Sequence, residues 1–400
     1  MKELAKEFDF DEIVDRLGTD SLKWGIRDGE LPMWVADMDF RTPSAVTEAI
    51  IRRAEHGIFG YSVLPKRWYD AYISWWSTRH GFAVDASWLV FSTGVVPSLS
   101  SMVRRLTAVG ENVLIQTPVY NIFFNSIVNN GRRVLESPLV YEDGAYRIDF
   151  DDLERKLSHS ETTLMILCNP HNPVGKIWSR EELERIGELC FRHHVTVISD
   201  EIHCDLTLPG CGYIPFASVS ERCREISVTC VAPSKTFNMA GLQSSAVIAP
   251  NLFLRQRVSR GLNNDEVAEP NAFAVEAAVA AFGFGAPWLD ALRAYLAESR
   301  QMVEKFICER VPQVDCVRGE ATYLLWLDCR KVTGDSRRLA AYLRSRTGLW
   351  ISSGEAYGAS GAGFLRLNAA CPHSVLMDGL ERFARGISLF LADGAVENLK

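Results

Sequence analysis

Between residues 86 and 250 the chain repeats one pattern: a short uncharged apolar run, then an amphipathic stretch, then another run. The runs are WLVFS (88–92), NVLIQ (112–116), TLMILC (163–168), VTVISD (195–200), ISVTCVA (226–232) and SSAVIA (244–249). Runs without polar alternation belong to strands covered on both faces. The segments between them provide that cover, and REELERIGELCFRHH (180–194) is the clearest amphipathic helix. This alternation predicts an α/β fold with a mostly parallel sheet sandwiched by helices. In such sheets functional residues gather at the carboxyl ends of strands. Gly94, Tyr120, Asn169, Asp200 and Lys235 all follow a strand.

A chain of 400 residues is longer than one core usually supports. Residues 46–286 are expected to form the large domain and 287–392 a smaller α+β domain. The latter holds a helix over 287–311, TYLLWLD (322–328), a helix near 336–347, FLRLN (364–368) and a last helix near 374–391. Residues 1–45 lack a strong period. With their loop PMWVADMDF (32–40) they are expected to pack as an arm on the small domain or across the site. DGAVENLK (393–400) reads as a polar tail.

A net charge of -7 and the absence of a basic stripe argue against nucleic acid as the main partner. The charged N-terminus carries no apolar segment of the secretory kind. AFAVEAAVAAFGFGA (272–286) is interrupted by Glu276 and too short to cross a bilayer, so it reads as a buried helix and no membrane partner is expected. None of the ten cysteines forms a C-x-x-C pair, and Cys168, Cys190 and Cys230 sit inside apolar runs. That usage fits reduced, packed thiols of a cytoplasmic protein better than disulfides or zinc. His193-His194 and His203-Cys204-Asp205 lack the spacing of known metal motifs, so no metal is expected.

Lys235, in VAPSKTFNMAG (231–241), follows an uncharged strand. A lysine held near the interior loses basicity, and its neutral amine attacks carbonyls. Asp200 closes another apolar strand, and a buried carboxylate needs a cation or good donors. Pyridoxal 5'-phosphate meets both needs: its aldehyde takes a lysine and its protonated ring nitrogen takes a carboxylate. STGVVPSLSSMVRRL (92–106) puts a glycine turn at a helix start, suited to a phosphate. Ser234 adds a hydroxyl. Tyr120 offers a ring to stack on the pyridine, and Asn172, in NPHNPVG, a donor for the phenolic oxygen. Arg366 offers a two-pronged donor for a substrate carboxylate. Each element also has a structural reading: a solvated lysine, an aspartate capping the next helix, Asn-Pro turn chemistry, an ordinary ion-pair arginine. Their joint presence in this order carries the argument. GASGAG (358–363) precedes its strand rather than following one, so it does not read as a dinucleotide loop.

The sequence resembles fold-type I pyridoxal phosphate enzymes of the aminotransferase class I/II superfamily, and within them the MalY/PatB-type cystathionine β-lyases (cysteine C–S lyases). The stretches that carry the resemblance are DRLGTDSLKW (15–24), PMWVADMDF (32–40), GYS (60–62), GVVPS (94–98), PVYN (118–121), NPHNPVGK (169–176), SDEIHCDL (199–206), APSKTFNMAGL (232–242) and GFLRLNAACP (363–372). The resemblance implies that Lys235 carries the cofactor and removes the α-proton, that Asp200 pairs with the ring nitrogen, and that Tyr120 stacks. It implies that Val95, Val96 and Ser234 hold the phosphate, with Asn172 and His203 also at the cofactor. Arg366 would bind the substrate carboxylate, with Asn172, Tyr61, Ala36 and Tyr357 nearby. Tyr61 would reach the neighbouring subunit's phosphate, making a homodimer with shared sites. Three positions depart from the family's pattern: Gly25 after Lys23-Trp24, Tyr357 in EAYG, and His373 after Cys371-Pro372. Only Tyr357 bears on the substrate. The implied activity is β-elimination of L-cystathionine or another cysteine S-conjugate. An aminotransferase shares its early chemistry, and a regulatory protein that keeps the cofactor is the alternative of another class.

Overall fold

All six apolar runs are strands of one seven-stranded sheet in the computed structural model, which describes residues 8–397. Residues 1–7, on which the reading of the N-terminus partly rests, and the last three of the expected tail lie outside the described residues. Across the sheet the strands run Leu89–Ser92, Ser245–Ile248, Ser227–Val231, Thr196–Asp200, Thr162–Cys168, Asn112–Ile115 and Arg133–Glu136. Ser245–Ile248 is antiparallel to both neighbours, and the remaining pairs are parallel. Arg133–Glu136 has no counterpart among the expected runs. Its four residues, RVLE, begin and end on a charge, as an edge strand facing water allows.

The register brings the chemistry to one rim. Cys168 lies opposite Asp200, Asp200 opposite Cys230, and Ser245 opposite Ser92. Slipping the Asp200 strand by one residue would turn that carboxylate to the far face and force Val197 and Ile198, both fully buried on opposite faces, to exchange packing environments. Each such side chain stabilises the fold by about 1.5–3 kcal/mol through burial, so the register is firmly held. The covering helix Arg180–Arg192 begins at a capping box formed by Ser179 and Glu182. It buries Leu183, Ile186, Leu189 and Cys190 at helical spacing.

A second, four-stranded antiparallel sheet is ordered Asp315–Cys316, Leu324–Asp328, Phe364–Asn368 and Ser352–Ser353. Arg366 stands on its Phe364–Asn368 strand, opposite Trp326 and Ser352. The helices Ala286–Arg310, Ser336–Thr347 and His373–Glu397 accompany this sheet. The last runs past its expected end at 391, through Asp393 and on to Glu397, so most of the stretch read as a polar tail is helical. Tyr342 donates to the Asp393 carboxylate at 2.5 Å and holds that extra turn.

The arm is anchored by charge. Lys23, only 1% exposed, meets Asp39 at 2.7 Å. Arg16 bridges Asp37 and Asp39 at 2.7 and 2.6 Å, and the Trp24 indole donates to Asp39 at 2.8 Å. Removing one member of a buried pair costs about 3–5 kcal/mol. Leu31–Pro32 then adds a short parallel pairing to Leu349–Trp350. GASGAG forms a tight crossing in which Gly354 and Gly361 approach so closely that a Cβ on either would meet the other's backbone. Its glycines therefore serve packing.

All ten cysteines are free thiols. Among the described residues no single helix is long and apolar enough to cross a membrane. The pair Ala274–Phe284 and Ala286–Arg310 bends by 74° at its break, and the first of these is largely buried.

Candidate active site

The carboxyl ends of the parallel strands open into a cavity of about 280 Å³. Nine of the residues singled out above line it: Ala36, Val95, Val96, Tyr120, Asn172, Asp200, His203, Ser234 and Lys235. A wider cleft of about 1120 Å³ leads into it and shares Ala36, Tyr120 and Lys235. Arg366 and Tyr357 stand on the wall of this cleft. Tyr61 is not brought in. It is fully exposed in a surface crevice that shares only Gln243 with the inner cavity.

Lys235 sits on the short turn of helix Pro233–Thr236 that follows the strand Ser227–Val231. Its Nζ donates to the Ala36 carbonyl at 2.5 Å. Burial, aided by the Arg366 charge, lowers the amine to about 8, while Asp37 and Asp200 pull the other way. A neutral amine is thus within reach near neutral pH. Asp200 accepts the Ile202 backbone N–H at 3.2 Å and, among the described residues, has no salt-bridge partner. Burial pushes it up to about 7. A cationic N–H ring against it would restore the ionised form, so the carboxylate fits a protonated pyridine nitrogen.

The phosphate end fits as well. Helix Val95–Leu106 starts at Gly94 with no side-chain cap, which leaves its first N–H groups for a ligand beside Ser234. His203 is held neutral: burial, with the charges of Lys235 and Arg366, lowers its imidazole to about 3. Among the described residues its buried Nδ1 has no hydrogen-bond partner. Burial and the nearby Asp200 charge raise the Tyr120 phenol to about 12, so its ring stays neutral.

Arg366 is preset. Its Nη1 donates to Asn172 Oδ1 at 3.3 Å and its Nη2 to the Trp34 carbonyl at 2.8 Å. Its guanidinium lies 4.9 Å from the Tyr357 ring centroid, and its buried Nε has no hydrogen-bond partner among the described residues. A buried cationic fork with a spare donor suits a carboxylate. The loop at residues 34–37 meets the Lys235 and Arg366 side chains through its backbone carbonyls. Besides Ala36 and Trp34, Val35 and Asp37 each accept from Asn368 at 2.6 Å.

His373 stacks on Tyr295 at 4.0 Å and plays no part in either cavity. Sequence reasoning missed Gln243 and Ser244, which also line the inner cavity. They precede Ser245–Ile248, and because that strand runs backwards its beginning lies at the site rim. The neighbouring Ser92 pairing gives the direction only once the sheet is seen. Trp34 and Trp350, stacked at 4.5 Å on the outer cleft wall, were also missed, since the loop that holds Trp34 has no period to read.

The chain matches the family model for aminotransferase class I and II over residues 32–383. It is 47% identical over 386 residues to cystathionine beta-lyase PatB of Bacillus subtilis, covering 95% of this chain and all of that one. It is 36% identical to protein MalY of Escherichia coli, over 93% of this chain and 97% of the relative. Among solved structures, the pyridoxal phosphate-bound C–S lyase from Staphylococcus hominis superposes with a TM-score of 0.90 at 34% identity, covering 95% of this chain and 98% of that one.

Proposed function

The chain belongs to the aminotransferase class I and II family, and from that premise we propose that it is a pyridoxal 5'-phosphate-dependent carbon–sulfur lyase. It cleaves L-cystathionine or a related cysteine S-conjugate by β-elimination to a thiol, pyruvate and ammonia. The observation that carries the reading is the single cavity in which a lysine with a lowered pKa and a buried carboxylate with no salt-bridge partner among the described residues converge. Likeness over nearly the whole chain to proteins named cystathionine beta-lyase or C–S lyase supports the reaction class.

When bound, pyridoxal phosphate provides the electron sink that lets a proton leave the α-carbon of an amino acid. Lys235 would hold the cofactor's aldehyde through its neutral amine. Asp200 would hold the ring-nitrogen proton, Tyr120 would cover the ring, and Asn172 would supply an amide N–H to the phenolic oxygen. Val95 and Val96 N–H groups with Ser234 would hold the phosphate, and His203 would face the cofactor as a neutral imidazole. Arg366, braced by Asn172, Trp34 and Tyr357, orients the substrate carboxylate at the cavity mouth beside Ala36. Lys235 Nζ is the group that would take the α-proton. That proton is then at hand for the departing thiolate, so one base serves both bond cleavages. The outer cleft gives the sulfur substituent room. The deciding assay measures pyruvate and free thiol from a panel of cysteine conjugates without added 2-oxo acid. Turnover that requires the oxo acid would make the protein an aminotransferase instead.

The working unit in this reading is a homodimer in the cytoplasm, its arm, large and small domains dividing near residues 45 and 286. Ile58, Phe59, Tyr61 and Val63 form an exposed apolar strip, which a soluble chain normally covers. The crevice at Tyr61 touches Gln243 from outside while Gln243 lines the cofactor cavity from within. Tyr61 of one subunit would thus complete the phosphate site of the other. Lys235→Ala and Tyr61→Ala subunits, each inactive alone, are then expected to regain activity when refolded together. One site of each hybrid draws both defects and the other draws neither. Hybrids verified by tagged pull-down that show no gain over the parents would rule out a shared site.

A further inference from the structure

Asp205 lies outside both cavities that hold the reaction. Its carboxylate is buried and accepts from three directions. Thr236 Oγ1 donates to Oδ2 at 2.9 Å, Trp75 Nε1 to Oδ1 at 3.0 Å, and His80 Nε2 meets Oδ1 at 2.9 Å. Burial alone would raise this carboxyl; the contacts from His80, Thr236 and Trp75 outweigh it and keep the group ionised.

Two explanations compete for such a node. His80, Cys204 and Asp205 offer ligand atoms within 4.8 Å of one another, as a metal site would. However, the Asp205 oxygens are already engaged, and the charges of Arg79 and Arg293 act on the same carboxylate. A cation would have to displace donors and face two guanidinium groups. The hydrogen-bond reading is the better one.

The connectivity gives the node a purpose. Thr236 is the residue after Lys235, on the same short helical turn. Asp205 lies five residues beyond Asp200, in the turn that leaves the Thr196–Asp200 strand. Trp75 and His80 fix the carboxylate from the helix Lys66–His80, and Trp75 also packs edge-on against Phe237 at 5.5 Å. The amine and the carboxylate that must meet opposite ends of one rigid ring are thus tied together behind the cavity.

We propose that Asp205 is a positioning residue that, through the Thr236 hydroxyl, sets the placement of Lys235 relative to Asp200. It touches neither substrate nor cofactor. Its effect is on the turn that aims the lysine, so its loss changes how fast Lys235 reacts more than how tightly substrate binds.

The test compares holoenzymes carrying Thr236→Val, which keeps the shape and removes the hydroxyl, and Thr236→Ser, which keeps the hydroxyl. Melting temperature, kcat and KM for pyruvate release, and the pH midpoint of the bound cofactor's visible band are measured on each. Thr236→Ser is expected to stay within about twofold of the parent in kcat, while Thr236→Val loses at least about tenfold with KM changed less than about twofold. The band midpoint in Thr236→Val is expected to move by about half a pH unit or more. A lower melting temperature with unchanged kcat and midpoint marks a merely structural contact and overturns the inference. Equal losses in both variants, or a kcat loss without a midpoint shift, overturn it as well. If Thr236→Val does not fold, Asp205→Asn, which can still accept from Thr236, is expected to keep its midpoint and Asp205→Ala to lose it; equal midpoints overturn the inference. The inference rests on the pyridoxal phosphate lyase reading, but the band midpoint needs no turnover. A parent that binds the cofactor yet releases no pyruvate would sink that reading and leave the anchor still decidable.

Discussion

Replacing Lys235 by alanine is expected to reduce pyruvate release by at least about a thousandfold, the upper part of the range for losing a positioned base. Among the described residues no other lysine lines the cavity, so no second amine there is placed to take the aldehyde or the α-proton. Burial lowers Lys235 to about 8, which a surface lysine would not show. Borohydride reduction followed by peptide mass spectrometry is expected to find the cofactor on the Lys235 peptide of the parent and on no peptide of the variant. Ordinary turnover in the variant, or an adduct on another lysine, would dismiss the assignment.

Asp200→Ala is expected to cost at least about a hundredfold in turnover and to weaken cofactor retention, since a buried charge loses its partner. It also has a consequence without cofactor. The carboxyl is pushed from 3.8 to about 7 by burial. Between those values the folded chain keeps a proton that the unfolded chain sheds. Asp200 therefore makes the cofactor-free protein less stable as pH rises through that window. The neighbouring Glu201, also raised to about 7, acts in parent and variant alike. Melting curves from pH 4 to 7 are expected to fall less steeply for the cofactor-free alanine variant than for the parent. Parallel curves, with the variant retaining cofactor and activity, would place the pyridinium partner elsewhere.

What was legible in the sequence follows from the range of the interactions. Strands covered on both faces announce themselves, because an uncharged run of β-branched residues has few other uses. A lysine or aspartate closing such a run stands out against it. The edge strand Arg133–Glu136 does not, since its outer side faces water and its charges look like loop. Nor does the extra length of the last helix, where Tyr342 meets Asp393 across 51 residues. Ser244 and Gln243 escaped for a topological reason: the local pattern of Ser245–Ile248 is the same in either direction. The Thr236–Asp205 bond joins residues 31 apart in sequence, and a threonine beside a lysine gives no sign of it. Tyr61 entered through family resemblance alone, because nothing in GYS distinguishes a residue that serves a neighbour from a loop tyrosine.

The arm loop reaches Lys235, Arg366, Asn368 and Tyr323 with main-chain oxygens alone. A carbonyl is the same whatever side chain its residue bears. The contacts that seat the reacting groups are thus insulated from mutation at Trp34 and Val35, although both residues line the outer cleft. Selection, or a laboratory library, can rewrite the wall that meets the sulfur substituent one codon at a time and leave the attachments of the reagents in place. In this loop the capacity to acquire new substrates is separated from the machinery that acts on them.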